Sequence, residues 1–318
     1  MFSTIYQIAR TARPRQWLKN ASLFAAPLFA GALNSPETLS LSFRALFVFC
    51  LIASAGYFIN DIVDAPKDRM HPVKKNRPVA SGKLKMSTAL FIVVLLIALG
   101  LFYSISYIGT YFTVVVLAYI VIQLVYSFYL RDVIILDAMV VASLFIVRVF
   151  AGGLATEVSV SSWLILTTIG LALLLAFGKR RSEKTILKKY DAGSDAGKET
   201  RKTLRHYPDS LLDSMISMSA AFCIITYALF TFQISPTGFY SPSLSSILPS
   251  ILRTPKLMML TIPLVIYGVA RYLYVIYEKN EGESPERVLL SDKALLTSVI
   301  LWVLVTVVVI YLLPVIAG

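Results

Sequence analysis

Residues 42–69 read SFRALFVFCLIASAGYFINDIVDAPKDR, and their character changes abruptly at Asn60. The first part of this stretch is almost entirely apolar, whereas residues 60–69 contain three carboxylates, one carboxamide and two cations. An apolar run of roughly 20 residues is typical of a helix that crosses a bilayer. The stretch therefore predicts a membrane-spanning helix that ends in a cluster of acidic side chains.

The whole chain has the composition of an integral membrane protein. Of its 318 residues, 57% are apolar and only 15% are charged, and the mean hydropathy is +0.73. Soluble proteins carry about 25% charged residues. Because the apolar runs are near the roughly 20 residues of a spanning helix, and lack the alternation of an outer-membrane barrel, we expect an all-α polytopic membrane protein.

Nine apolar segments of spanning length are predicted along the chain. They lie at about residues 17–33, 42–60, 87–106, 110–129, 133–153, 160–178, 211–234, 257–277 and 294–316. Longer polar loops, at residues 61–86 and 179–210, follow the second and the sixth segment. We expect one transmembrane domain over residues 1–318, with nine helices bundled around a cavity that opens to the cytoplasmic side and is covered by these two loops.

The positive charges predict how the chain is oriented. If the N-terminus is cytoplasmic, 25 of the 30 Lys and Arg residues fall on the cytoplasmic side. Positive residues concentrate on that side of membrane proteins, which indicates a multi-pass protein of the cell (plasma) membrane with its N-terminus cytoplasmic and its C-terminus outside. The same bias accounts for the net charge of +12, so we expect no nucleic-acid partner.

The acidic cluster has the spacing of a metal-binding helix face. Asp61, Asp64 and Asp68 are three and four residues apart, so a continuing helix places them on one face beside Asn60. Their oxygens suit Mg²⁺, which binds one or two carboxylates while phosphate and water complete its coordination. Pro66 removes a helical hydrogen bond, so the helix is expected to kink or end there and to direct Asp68 differently. The alternative is that the acids only solvate the helix end and balance nearby cations.

This polar stretch resembles the signature of a known family. The pattern Asn60-Asp61-x-x-Asp64-x-x-x-Asp68, followed by the segment KNRPVASG at residues 75–82, is similar to the first motif of the UbiA-type membrane prenyltransferase superfamily. Residues 13–20, RPRQWLKN, are similar to its branch of decaprenyl-phosphate phosphoribosyltransferases, and the resemblance covers nearly the whole chain. The resemblance implies nine transmembrane helices and a Mg²⁺-diphosphate bound at this first motif.

A second polar cluster departs from the pattern of most members. They carry a second acidic motif, DxxxD, which with the first holds a prenyl diphosphate. Here Asp137 is followed four residues later by Val141, so the second acid is missing. Tyr126, Arg131, Asp137 and a later RxxAGG segment that begins at Arg148 instead fit the phosphoribosyltransferase branch, which usually has Lys where this chain has Arg131.

Each residue of the second cluster also has a purely structural interpretation. Tyr126 could be an interfacial aromatic residue and Arg131 an ordinary cytoplasmic charge. The glycines at residues 152–153 could only permit close helix packing. Arg148 is harder to explain, because it lies on the order of 17 Å along the helix from Asp137 and a charge at that depth requires a partner inside the bundle.

The 179–210 loop carries ten cations, more than orientation alone requires. Anionic lipid headgroups or a multiply phosphorylated soluble substrate would account for them. Lys179, Arg180 and Glu183 belong to a KRRxE element that also occurs in the resembled branch. We therefore expect these three residues to contact substrate.

Together with the resemblance, these residues predict a membrane enzyme that transfers 5-phosphoribosyl from phosphoribosyl pyrophosphate to a polyprenyl phosphate. Mg²⁺ held by Asp61 and Asp64 would neutralise the departing diphosphate. The acceptor phosphate is already an anionic nucleophile, so no general base is required. The catalytic set is Asn60, Asp61, Asp64 and Asp137, with Asp68 as a further metal ligand. The residues expected to bind substrate are Lys19, Asn20, Lys75, Arg77, Tyr126, Arg131, Arg148, Lys179, Arg180 and Glu183.

Two other functions make different predictions. Transfer of a prenyl chain from its diphosphate to an aromatic or other small acceptor predicts a second acidic pair, which Val141 does not supply. A transporter of lipid phosphates predicts inverted repeats with broken helices in matching positions, and the sequence shows no such pattern.

Overall fold

A computed structural model describes residues 2–70, 74–191, 207–234, 256–279 and 284–314. Within these ranges the chain is helical and contains no β-strand, which confirms the all-α prediction. The α-helices are α1 (Phe2–Ala12), α2 (Ala25–Phe29), α3 (Pro36–Met70), α4 (Met86–Tyr107), α5 (Thr110–Phe128), α6 (Leu136–Ala155), α7 (Ser162–Asp191), α8 (Asp209–Gln233), α9 (Ile262–Tyr274), α10 (Pro285–Ser291) and α11 (Lys293–Val307). Short 3₁₀ helices cover Pro14–Phe24, Ala32–Asn34, Lys74–Asn76, Leu130–Asp132 and Leu257–Thr261, and π-helical turns cover Val275–Lys279 and Val308–Leu312.

Eight stretches of the described chain are helical, long and apolar enough to cross a membrane. They are Pro36–Met70, Met86–Tyr107, Thr110–Phe128, Leu136–Ala155, Ser162–Ile186, Asp209–Gln233, Leu257–Lys279 and Lys293–Leu312. These correspond to the second through ninth predicted segments. The first predicted segment is irregular, since it consists of the Pro14–Phe24 3₁₀ helix and the short α2. The total of nine spans therefore stays a prediction.

The irregular first segment nevertheless runs along the bundle. At its start, Arg13 forms an ion pair with Asp61 near the end of α3. Near its other end, the Tyr311 hydroxyl donates to the carbonyl oxygen of Leu28 at 2.8 Å. Tyr311 lies about 27 Å from Lys293, the first residue of α11, at the usual helical rise. The segment of residues 14–29 therefore contacts both ends of the bundle.

Polar residues collect at the end of the bundle where α3 ends and α4, α6 and α8 begin, here named the charged end. α3 runs through Pro66 to Met70, so the helix does not end at the proline as considered above. α7 continues through Arg180 to Asp191, so the start of the predicted 179–210 loop is also helical. Residues 192–206 of that loop lie outside the described residues. Asp61 and Asp68 consequently remain on one continuous helix.

The bundle has an apolar core that also contains buried polar residues, and it exposes large apolar side chains on its outside as well. Large apolar side chains project from α4, where Phe91 is 67% and Phe102 is 63% exposed. Such a surface suits contact with lipid, which confirms the expectation of a membrane protein.

Glycines allow two close approaches inside the bundle. A methyl group at Gly152 of α6 would overlap the backbone carbonyl of Leu23, and one at Gly170 of α7 would overlap the backbone of Cys223 in α8. The first approach brings the Pro14–Phe24 helix against α6. It thereby places Asn20 beside Arg148, as described below.

Candidate active site

The acidic face of α3 is ion-paired with arginines from other parts of the chain. Asp61 is only 1% exposed, and it accepts from Arg13 at 2.5 Å while Arg77 lies 3.4 Å away. Arg77 also donates to Asp68 at 2.7 Å, so one guanidinium bridges the first and the last acid of the cluster. Asp64 pairs with Arg131 at 2.5 Å. Buried carboxylates require such partners, because an isolated charge is costly in a low-dielectric interior.

Asn60 is held by α5, because the Ser127 hydroxyl donates to its carboxamide oxygen at 2.7 Å. The remaining predicted cation of this region, Lys75, has an exposed side chain in the Lys74–Asn76 helix. The structure therefore brings together the three acids, Asn60 and Arg77, and places Lys75 at their periphery.

A second charged cluster lies between α6 and α7. Arg180 is 3% exposed and donates from its three nitrogens to Asp137 at 2.5 Å, Glu183 at 2.6 Å and Tyr126 at 3.1 Å. Lys179 approaches the other oxygen of Glu183 at 3.9 Å. The predicted residues of α5, α6 and α7 thus form one connected network.

Tyr207 completes this network from the segment that precedes α8. Its hydroxyl donates to Asp137 at 2.5 Å and accepts from the backbone N–H of Ile135 at 2.6 Å. Burial, together with the hydrogen bond to Asp137, raises the pKa of Tyr207 above its usual range, so the phenol remains a hydrogen-bond donor.

The backbone at Ile135 is strained. This residue has φ 70° and ψ −50°, which a β-branched side chain rarely adopts. Such a conformation persists only where surrounding contacts fix it. The hydrogen bond to Tyr207 is such a contact, so it fixes both the start of α6 and the carboxylate of Asp137.

A third cluster surrounds Arg148 in the middle of the bundle, about 17 Å along α6 from Asp137. Arg148 is 4% exposed, and it donates to the Asn20 side chain at 2.9 Å, the Leu144 carbonyl at 2.9 Å and the Tyr119 hydroxyl at 2.6 Å. All three partners are neutral. In the described part of the chain no carboxylate pairs with Arg148, so its positive charge is not balanced by a direct partner.

Lys19 lies between this cluster and the charged end. Its ammonium is 3.4 Å from a carboxylate oxygen of Glu286, which belongs to the short α10 near the other end of the chain. The pair adds one cation and one anion to the interior. Lys19 and Arg148 together therefore exceed Glu286 by one positive charge.

The donor atoms on α3 fit a magnesium ion that is shared with a phosphorylated ligand. Asp61 and Asp64 offer hard oxygen donors one helical turn apart, and Mg²⁺ is usually bound by one or two carboxylates plus substrate phosphate. No group of three or more His, Cys, Asp or Glu side chains is placed to hold a metal ion within the described ranges. The donor set therefore suits Mg²⁺ with a ligand better than a metal site formed by protein alone.

Several residues of these clusters were not predicted from the sequence. Arg13 belongs to the RPRQWLKN segment quoted above, which also contains Lys19. Its position in that segment could have marked it as a site residue. Tyr119, Ser127, Tyr207 and Glu286 offered no comparable signal, because a single Tyr, Ser or Glu near a membrane helix has many ordinary explanations.

Comparison with known proteins shows the family of the chain. The UbiA prenyltransferase family matches residues 21–292. The decaprenyl-phosphate phosphoribosyltransferase of Corynebacterium glutamicum is 32% identical over 310 residues, which cover 96% of this chain and 87% of that protein. The enzyme of the same name from Mycolicibacterium smegmatis is 34% identical over 230 residues, which cover 71% of this chain and 70% of that protein.

A solved structure shares the fold. The UbiA homologue from Archaeoglobus fulgidus, determined with bound DMAPP and Mg²⁺, superposes with a TM-score of 0.66 at 19% identity, covering 96% of this chain and all of that chain. At this identity the likeness concerns the helical architecture alone.

Proposed function

The chain belongs to the UbiA prenyltransferase family, and we propose that it transfers 5-phosphoribosyl from phosphoribosyl pyrophosphate to a polyprenyl phosphate, with release of diphosphate. The relatives that it matches over most of their length are named decaprenyl-phosphate phosphoribosyltransferases. In this reaction an oxygen of the lipid phosphate forms a bond to C1 of ribose, and the C1–O bond to diphosphate breaks with its electron pair leaving on diphosphate.

The environment of Val141 favours phosphoribosyl pyrophosphate over a prenyl diphosphate as the donor substrate. This side chain lies where other members have their second acid, and it packs against the apolar core of the bundle. α6 consequently offers one carboxylate at this level, Asp137, and that carboxylate is already bound by Arg180 and Tyr207. α6 therefore does not supply the second pair of acids that would bind a prenyl diphosphate. A single carboxylate is instead suited to accept hydrogen bonds from the hydroxyl groups of a ribose.

The acidic face of α3 would receive the diphosphate of the donor. Asp61 and Asp64, with Asn60 beside them and Asp68 further along, would hold Mg²⁺, which supplies neutralisation of the charge that develops on the leaving diphosphate. Arg77 is well placed to take diphosphate oxygens because it already lies between two acids. Lys75 would add a contact from the periphery.

Exchange of partners makes this site accessible to an anion. Arg13, Arg77 and Arg131 now pair with carboxylates, and guanidinium groups bind phosphate with the same fork geometry. A phosphate group that arrives with a divalent cation can take the arginines while the cation takes the carboxylates, so no charge is left without a partner.

The cluster between α6 and α7 would bind the phosphoribosyl group. Asp137 and Tyr126 can accept or share hydrogen bonds with ribose hydroxyls, and Arg180 holds both in position. Lys179 and Arg131 would take the 5-phosphate, and Glu183 fixes the direction of Arg180.

Arg148 with its partners Asn20 and Tyr119, together with the Lys19–Glu286 pair, is here named the inner cluster. This cluster would bind the phosphate of the lipid acceptor. Arg148 and Lys19 leave one excess positive charge in a membrane interior, which attracts the negative charge of a phosphate monoester. Asn20 holds the guanidinium of Arg148 at 2.9 Å and so fixes where the phosphate binds. We also place the charged end at the cytoplasmic face of the plasma membrane, where a soluble donor arrives and the predicted loops lie.

The deciding experiment incubates purified full-length protein in lipid nanodiscs with Mg²⁺, labelled phosphoribosyl pyrophosphate and a polyprenyl phosphate. We expect label to enter the lipid phase only when all three components are present. In a parallel reaction, a labelled prenyl diphosphate replaces the donor and aromatic acceptors replace the lipid phosphate. Turnover of the prenyl diphosphate, without label from ribose in the lipid phase, would show that the chain is a prenyltransferase instead.

A further inference from the structure

The surroundings of Lys19 raise the question of what keeps its charge inside the bundle. Two other cations, Arg13 and Arg148, lie close enough to act on it electrostatically. Like charges repel more strongly in a low-dielectric interior than in water. A lysine side chain is also long and flexible, so without an anion it would turn toward the aqueous end of the bundle.

Glu286 supplies this anion. α10, which carries it, packs against the Pro14–Phe24 helix of Lys19. The Glu286 side chain is 8% exposed, and its Oε2 atom is 3.4 Å from the ammonium nitrogen. Within the described chain, Glu286 is the one acid that forms an ion pair with Lys19.

The same place contains two buried polar atoms that lack a hydrogen bond. They are Oε2 of Glu286 and the hydroxyl oxygen of Tyr272 in α9, and Glu286 acts electrostatically on Tyr272. Tyr272 reaches this position alongside α7 because residue 178 is glycine, whose missing methyl group would lie 3.1 Å from the hydroxyl. An unsatisfied buried polar group costs about 1–3 kcal/mol. Oε2 of Glu286 already has the Lys19 ammonium as its ion-pair partner, whereas the Tyr272 hydroxyl has no partner in the described chain. This hydroxyl beside a cation indicates a site that an acceptor group of a ligand completes.

We propose that Glu286 is a positioning residue that holds the Lys19 ammonium in the bundle for the phosphate of the lipid acceptor. The proposal rests on the proposed function in one respect, namely that Lys19 binds this phosphate. Glu286 does not itself bind the phosphate, since a carboxylate repels it. It fixes the direction of Lys19 while the site is empty, and Tyr272 then donates to the phosphate that joins the two cations.

A positioning role of Glu286 predicts different effects on the binding of the two substrates. Loss of the Glu286 charge frees Lys19 and weakens binding of the lipid phosphate, whereas the donor site on α3 keeps all its ion pairs. A merely structural role of Glu286 would instead weaken both substrates or the fold as a whole. The effect of Glu286 must also disappear once Lys19 is removed, because it acts through that side chain.

The test is a double-mutant cycle with Glu286→Gln, Lys19→Met and the double variant, in nanodiscs. KM is measured for polyprenyl phosphate and for phosphoribosyl pyrophosphate, and Kd for polyprenyl phosphate is measured without donor. We expect Glu286→Gln to raise KM and Kd for the lipid about tenfold, with KM for the donor changed less than about twofold. The double variant is expected to bind the lipid no more weakly than Lys19→Met alone.

Two further variants keep the result interpretable. Glu286→Asp retains the charge and is expected to lie between wild type and Glu286→Gln, which tests the proposal if the glutamine variant does not fold. Glu157→Gln makes the same chemical change at an exposed position beyond the other end of α6 and is expected to match wild type. Additive losses in the double variant, equal changes for both substrates, or unchanged lipid binding in Glu286→Gln would each overturn the proposal. Because Kd is measured without turnover, absence of phosphoribosyl transfer would contradict the proposed function alone.

Discussion

The charged end and the inner cluster differ in how their positive charges are balanced. In the two ion-pair networks described above at the charged end, five acids pair with five cations: Asp61, Asp64, Asp68, Asp137 and Glu183 with Arg13, Arg77, Arg131, Lys179 and Arg180. In the inner cluster, the hydrogen-bond partners of Arg148 are all neutral, and Lys19 forms an ion pair with one acid, Glu286.

This difference indicates two kinds of ligand. A balanced layer of ion pairs can admit a metal-bound diphosphate, which brings charges of both signs and exchanges partners. An interior with excess positive charge suits a ligand that brings negative charge without a metal. We therefore expect substitutions at the charged end to alter dependence on Mg²⁺ and on the donor, and substitutions in the inner cluster to alter dependence on the lipid.

The largest effect is expected for Asp61→Asn and Asp64→Asn. Each removes a carboxylate that would hold Mg²⁺, and we expect turnover to fall about a thousandfold, as for loss of a preorganised electrostatic group. Expression and helix content, measured by circular dichroism, should stay unchanged. Asp132→Asn, at an exposed acid of the same end, is the control and should retain activity. Turnover at the wild-type rate in either test variant would exclude a role in metal binding.

Arg148→Lys tests the inner cluster. Lysine keeps the charge but cannot contact Asn20, Leu144 and Tyr119 at once, since it lacks the planar fork. We expect kcat/KM for the lipid to fall about a hundredfold, which corresponds to loss of one or two hydrogen bonds to a charged group. The Mg²⁺ concentration that gives half-maximal rate should not change. A shift in that concentration would mean that the two regions are not separate.

Gly152→Ala tests the packing that holds the inner cluster together. The added methyl group would overlap the Leu23 carbonyl, so the Pro14–Phe24 helix must move away from α6. We expect a loss of about 2 kcal/mol in stability, typical of overpacking, and weaker binding of the lipid. Gly268→Ala is the control, because its methyl group would meet neighbours at an ordinary 3.5 Å or more. Thermal unfolding in detergent compares the two; equal melting temperatures would contradict the close approach.

Tyr207→Phe affects the charged end more mildly. It removes the donor to Asp137 and leaves the Ile135 N–H without its partner, while Arg180 still holds the carboxylate. We expect KM for the ribose donor to rise about tenfold, the scale of one lost hydrogen bond to a charged group, with KM for the lipid unchanged. Tyr277→Phe, whose hydroxyl donates to Asp213 rather than to Asp137, serves as the control. An equal rise for both substrates would instead indicate a general loss of structure.

The smallest effect is expected at Asp292, whose ion-pair partners, Arg271 and Lys279, belong to neither set of contacts. Hydrogen bonds from Arg271 and Lys279 hold the pKa of this carboxyl well below its usual range. Its stabilising contribution is therefore complete above the unfolded pKa of about 3.9 and is lost as pH falls through the lower folded value.

Asp292→Asn should accordingly lower stability by about 0.5–1 kcal/mol at pH 7, as for an ion pair near the surface. The melting temperatures of variant and wild type should converge only in strong acid, and both KM values should be unchanged. A difference that grows as pH falls would contradict this assignment.

Much of the charged end could be predicted because its signals are local. The spacing of Asp61, Asp64 and Asp68 fixes them on one face of a helix whatever the rest of the chain does. Val141 likewise identifies the missing acid, once the resemblance to the superfamily supplies the DxxxD pattern that begins at Asp137. The contact of Arg180 with Asp137 and Glu183 was only partly foreseen, since the sequence marked the residues as important but not as one network.

The sequence by itself determined that this is an all-α membrane protein, approximately where eight of its spanning helices lie, and which face of α3 carries the acids. These features follow from hydropathy and from helical periodicity, which act within a few turns of chain. Only the tertiary structure decided which cation meets which acid, that Tyr207 fixes Asp137, and that Glu286 lies against Lys19. These contacts join residues that are far apart in sequence, and they depend on how helices pack, on the glycine at residue 152 and on the long α3 continuing past Pro66.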